Sequence, residues 1–133
     1  MNAWVATELK AVQQTRIGLL ADVCEVLANE GVDILAIGAY DKGGMAEFLM
    51  ITSDNDLAEE RLSGMGMDVM SSRVVCVVLD ATPGALRPVA RSLALSNINI
   101  SQIHATTADE CAKALAVLRV DDPETVAQML SGM

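Results

Sequence analysis

The chain has 133 residues, 52% of them hydrophobic, with only Trp4, Tyr40 and Phe48 as aromatics and a net charge of −9. This excludes a disordered chain, and 18 acidic against 9 basic side chains leave no basic footprint for nucleic-acid binding. No apolar run approaches the ~20 residues of a membrane span and no charged-then-apolar leader opens the chain, so no membrane partner and a cytoplasmic location are expected.

Cys24, Cys76 and Cys111 are widely spaced, with no C-x-x-C pair for zinc or redox chemistry. Cys24 and Cys76 fall in apolar periodic segments and are expected to be buried.

In chain order, Ala6–Gln13 reads as a strand and Gln14–Gly18 as a turn. A helix over Leu19–Asn29 is expected to bury Leu20, Val23, Cys24 and Leu27, with Gly31 ending it. Val32–Tyr40 and Met45–Ser53 form a hairpin through Asp41-Lys42-Gly43-Gly44. Asp54-Asn55-Asp56 caps a helix near Leu57–Met65, and a short strand follows at Met67–Ser71. Arg73–Leu79 is the next strand. The Asp80–Gly84 turn leads to a helix over Ala85–Ser96, with Pro88 tolerated in its first turn. A strand at Ile98–Thr106, a turn at Thr107–Glu110 and a strand at Cys111–Val120 come next. Asp122-Pro123 then starts a helix that buries Val126, Ala127 and Leu130.

The chain repeats itself. A shift of 66 residues places Gly18 on Gly84, Leu20 on Leu86, Val23 on Val89, Leu27 on Leu93, Ile34 on Ile100 and Ile37 on Ile103. A one-residue slip is needed before Asp54 meets Asp121. The pattern predicts an α+β fold of two ferredoxin-like β-α-β-β-α-β units in tandem, 1–71 and 72–133. The antiparallel sheets are expected side by side, with helices on one face, and the second unit lacks a last strand. Side-by-side joining is expected through the second strands, Asp33–Tyr40 and Asn99–Thr106, because these are edges. A homodimer is expected to cover what remains bare.

Asp80-Ala81-Thr82-Pro83-Gly84-Ala85-Leu86 with Asn97-Ile98-Asn99-Ile100, and the weaker copy Thr15-Arg16-Ile17-Gly18-Leu19-Leu20 with Gly31-Val32-Asp33-Ile34, resemble the ACT domain. Over nearly its whole length the chain looks like a stand-alone pair of these amino-acid-sensing modules. The resemblance implies a regulatory module, not an enzyme, with an amino acid or similar small ligand bound between two units and a possible partner enzyme. By position it implies ligand contacts from Thr15, Gly18, Leu19 and Leu20 in the first unit and Asp80, Gly84, Ala85 and Leu86 in the second. Asp33 and Asn99 would face the ammonium. Three before the glycines stand Thr15 and Ala81, and Thr15 keeps a hydroxyl where Ala81 has none, which favours the Thr15 turn paired with Asn99.

Four of these residues also have a purely structural explanation: Gly18 and Gly84 because turn glycines are common for backbone reasons, and Asn99 and, more so, Asp33 because they fit surface positions on an alternating strand. His104, the only histidine, is expected half-buried on the strand face shared by Ile100 and Gln102, and Met65, Met67 and Met70 as core filler. Neither a metal set nor an activated nucleophile is apparent, and no cofactor is implied. The alternative is an interaction module that joins a partner protein through open sheet edges.

Overall fold

A computed structural model describes residues 1–107 and 111–133. Most of the expected Thr107–Glu110 turn lies outside the described residues. The elements run β1 (Asn2–Gln14), α1 (Leu19–Asn29), β2 (Ile34–Lys42), β3 (Met45–Thr52), α2 (Asn55–Gly64), β4 (Asp68–Asp80), α3 (Arg87–Leu95), β5 (Ile100–Thr106), β6 (Lys113–Val120) and α4 (Pro123–Ser131). The chain forms two compact units, Thr7–Ser72 and Arg73–Met133 with Met1–Ala6. Among the described residues, six antiparallel strands and four helices thus make two ferredoxin-like units, as the repeat implies.

In the Thr7–Ser72 unit the strand order is β2-β3-β1-β4. Alternation along β1 and β3 turns Leu9, Ala11, Phe48 and Met50 to one face, where α1 supplies Leu19, Val23 and Leu27 and α2 supplies Ala58 and Leu62. Both helices therefore cover the same face. The buried column of α1 is an i, i+4, i+8 series, which leaves Leu20 and Cys24 exposed, against expectation. Asp54 caps α2, its carboxylate accepting from the Leu57 N–H at 3.1 Å. Met67 is buried and Met65 packs beside it, but Met70 is exposed and fills no core.

In the other unit the order is β5-β6-β4-β1. Val75, Val77, Leu79, Ala116 and Leu118 form its core with Val89 and Leu93 of α3 and Val126, Ala127 and Leu130 of α4. Met1, Ala3 and Val5 pack against that core in strand alternation, and the Ser131 hydroxyl donates to the Ala3 carbonyl at 2.9 Å. The strand the second unit was expected to lack is therefore the beginning of the chain, which sequence order assigned to the first unit. A related correction concerns β4. Met67–Ser71 and Arg73–Leu79 are one 13-residue strand, because the polar Ser71-Ser72 pair reads as a break but keeps extended backbone.

The repeat extends to backbone irregularities. Register shifts fall between Ile34 and Ala36 on β2 and between Ile100 and Gln102 on β5. Gly31 and Asn97, both at positive φ, follow the ends of α1 and α3. The caps Asp54 and Asp122 are equivalent, so the slip between copies is two residues and the partner of Asp54 is Asp122, not Asp121. The bulge on β5 also separates Ile100, which pairs with the core residue Val120, from Gln102 and His104, which pair with Arg119 and Val117 on the opposite face. His104 is half-buried there. The second strands do not pair with each other: β2 neighbours only β3, and β5 only β6.

Candidate functional site

The strand β4 ends at Asp80, and the chain must turn back within six residues to enter α3. The Ala81 N–H donates to the Ala112 carbonyl at 2.9 Å, tying the turn to the segment before β6. Inside it, Thr82 N–H donates to Asp80, Ala85 N–H to Thr82 and Arg87 N–H to Gly84, at 2.8, 3.2 and 3.1 Å. Gly84 sits at φ +80°, a left-handed conformation that disfavours any residue with a Cβ. A Cβ there would lie 3.7 Å from Arg87 Nη2, so backbone conformation, not lack of space, dictates glycine. Among the described residues no side chain caps α3, whose first turn contains Pro88. The N–H groups of Gly84 and Leu86 have no protein acceptor among the described residues.

This turn borders a cleft of about 520 Å³, within the range of small-molecule sites. Asp80, Thr82, Gly84 and Arg87 line one side, and Ala105, Thr106, Thr107 and Ala114 the other. Leu79, Ala81, Pro83, Ala85 and Leu86 complete a mainly apolar wall. Asp80 lies 2.5 Å from Lys113 Nζ, and that hydrogen bond, reinforced by the charge attraction, holds the Asp80 carboxyl below its ordinary pKa. Arg87 makes no ion pair among the described residues. A second cleft, of about 430 Å³, shares Leu79, Asp80, Thr82 and Ala85 and is also lined by Met1, Lys113 and Met133.

The equivalent turn of the first unit has the same backbone but different charges. Gly18 is at φ +89°, Leu19 N–H donates to Arg16 at 3.3 Å, and Asp22 N–H to Gly18 at 3.0 Å. Arg16 is 2.7 Å from Asp22, so its charge is neutralised within the turn. Thr15 and Leu20 are exposed, and Ile17 is fully so.

Of the residues singled out from sequence, Asp80, Gly84, Ala85 and Leu86 thus come together around one cleft. Thr15, Gly18, Leu19 and Leu20 form the matching turn of the other unit. Asp33 has an exposed side chain, while its N–H donates to Ser53 Oγ at 2.8 Å. Asn99 is exposed just before β5. Arg87, Thr106 and Thr107 escaped sequence reasoning. For Arg87 a signal existed, a cation three residues beyond the turn glycine, whereas Thr106 and Thr107 reach the cleft only through the β5–β6 pairing. Among the described residues no group of three or more His, Cys, Asp or Glu is placed to hold a metal, and no helix is long and apolar enough to cross a membrane.

Several solved structures share this fold. Protein BT0572 from Bacteroides thetaiotaomicron is 26% identical, with a TM-score of 0.87, over 99% of this chain and 90% of that one. The ligand-free regulatory subunit of aspartate kinase from Thermus thermophilus is 16% identical, with a TM-score of 0.67, over 97% and 96%. Aspartokinase III from E. coli, in complex with lysine and aspartate, is 18% identical with a TM-score of 0.59, over 98% of this chain and 31% of that one. No protein-family model matches the chain, and neither does any curated protein sequence. The two-unit architecture is therefore ACT-like, the fold of that regulatory subunit.

Proposed function

We propose that this chain is an ACT-type regulatory module that binds a small metabolite, with amino acids as the class to test first, at the turn entering the first helix of a unit. The observation that carries this reading is the cleft at the Asp80–Arg87 turn, where left-handed Gly84 and the start of α3 present N–H groups without an acceptor among the described residues. Such donors stabilise a carboxylate without a buried cation. The Thr15, Gly18, Leu19 and Leu20 turn is the second candidate. Aspartokinase III of the same fold has been solved with lysine and aspartate, which makes these two the first ligands to try.

The reading includes a homodimer. Strands β2 and β5 end their strand orders, and pairing with a second copy would place Asp33 or Asn99 at an interface between copies. A ligand that binds one arrangement of such an interface better than another shifts its population, which is how a module without chemistry of its own signals to a partner enzyme.

The test is a thermal-shift series over the twenty amino acids, since a ligand that binds only the folded state raises Tm. Any amino acid that does so should then lose affinity by calorimetry in Gly84→Val, Gly18→Val or Asn99→Ala. No shift at millimolar concentrations retires the reading. In that case a second reading takes its place, an interaction module that captures a partner protein. It is favoured by the exposed Leu35, Ile37 and Tyr40 on edge strand β2.

A further inference from the structure

The repeat sets an exposed apolar stripe at matching positions of α1 and α3. At α1 it is Leu20, Cys24 and Ala28, one step off the buried Leu19, Val23 and Leu27, with fully exposed Ile17 in the turn before it. At α3 it is Leu86, Ala90 and Ala94, beside buried Val89 and Leu93. The edge strands add to both. Ile37 pairs with the core residue Met50 and Ile103 with the core residue Leu118, so each points to the helix-covered side of its sheet, and both are exposed. The charges beside the two stripes are opposite. Glu25 follows Cys24, whereas Arg91 follows Ala90 and Arg87 follows Leu86, and α3 carries no acidic residue. Glu25, Arg87 and Arg91 are exposed and form no ion pair among the described residues.

We infer that a second copy of the chain covers these stripes by unlike pairing, with α1 of each copy packed against α3 of the other. The inference deepens the homodimer of the regulatory reading and rests on it, because that reading leaves open whether like or unlike units meet. Every copy carries one acid-flanked and one base-flanked stripe, so a twofold axis lets each copy supply both halves of the interface. The exposed leucines and isoleucines contribute the apolar area, and the flanking charges choose the arrangement. With Cys24 set against Ala90, Glu25 comes within about 3 Å along the helix axis of Arg91 in the second copy, whichever way the second helix runs, at a rise of about 1.5 Å per residue. Like pairing instead sets Glu25 against Glu25, and Arg87 and Arg91 against their own copies. That repulsion selects against the competing arrangement as much as attraction favours the unlike one.

The test is the dimer dissociation constant of the full chain, measured by analytical ultracentrifugation for the wild type, Glu25→Arg, Arg91→Glu and the double variant. The wild type should dimerise at micromolar concentrations. Each single reversal should weaken the dimer by about tenfold or more, because a twofold interface repeats every contact and the reversed charge meets its own sign. The double variant restores opposite charges and should recover most of that loss. Both positions are exposed, so the circular dichroism spectrum should be the same in all four proteins. Single reversals that leave the dimer intact, or a double variant as weak as the singles, overturn the inference and leave the homodimer standing. A wild-type chain that stays monomeric across the micromolar range ends both, while the amino-acid thermal shifts decide the metabolite reading separately.

Discussion

Val5→Asp tests whether the beginning of the chain belongs to the second unit. Val5 is half-buried on β1 and packs with Met1 and Ala3 against the core that holds Leu118 and Leu130. Losing its apolar contact costs about 1 kcal/mol, roughly half the value for a fully buried valine. Setting a carboxylate against that core adds about 1–3 kcal/mol. The total, about 2–4 kcal/mol, is below the 5–15 kcal/mol that typically separates folded from unfolded chains, so the protein should remain folded. Native-state amide exchange read by mass spectrometry localises the damage. Protection in β6 and α4 should fall by about 30- to 700-fold, at tenfold per 1.4 kcal/mol, while β3 and α2 hold theirs. Val69→Asp is the converse, since Val69 packs against the first unit's core from the opening stretch of β4; it should expose β3 and α2 instead. Loss of protection in β3 and α2 equal to that in β6 and α4 after Val5→Asp would refute the assignment.

Three further outcomes are expected. Leu93→Ala, at a position 1% exposed in the second core, should cost about 2–5 kcal/mol by urea denaturation, and a loss well under 1 kcal/mol would mean that α3 is not packed as described. Asp54→Ala removes the acceptor for Leu57 N–H and should cost about 0.5–2 kcal/mol, with Asp54→Asn closer to wild type; equal losses in both would discount the capping bond. The carboxyls of Asp80, Asp122 and Glu47 are held low mainly by hydrogen bonds from Lys113, Thr125 and Tyr40 respectively. Groups depressed in the folded chain stabilise it above their unfolded pKa, and that contribution is lost as pH falls through the folded value. Tm should therefore decline on acidification below about pH 5, only modestly because exposed charges are screened, and a Tm that rises toward pH 3 would contradict the assignment.

Local chemistry decided much that could be read without coordinates. Asp54 and Asp122 cap helices because their carboxylates reach a backbone N–H three residues on, and that depends on nothing distant. Gly18 and Gly84 turn left-handed for equally local reasons, and the 66-residue repeat exposed both turns together. Even so, apolar spacing could not phase the α1 stripe, since Leu20 and Cys24 lie one step off the buried column.

Which strand lies beside which was a different question. Alternation tells a strand which face to bury but not its neighbour, so β2 and β5 looked suited to pair with each other, yet each found a partner within its own unit. Met1–Ala6 looked like the opening of the first unit, but its alternating apolar residues completed a core built from residues 70 or more positions away. The cleft follows the same logic. Its Asp80–Arg87 half is one continuous turn and was visible in the sequence, whereas Thr106 and Ala114 face that turn only because β6 pairs with both β4 and β5. Turns and caps are set by the energies of a few neighbouring residues. Strand order is set by which pairing buries the most apolar surface across the whole chain, and only the tertiary structure resolves that competition.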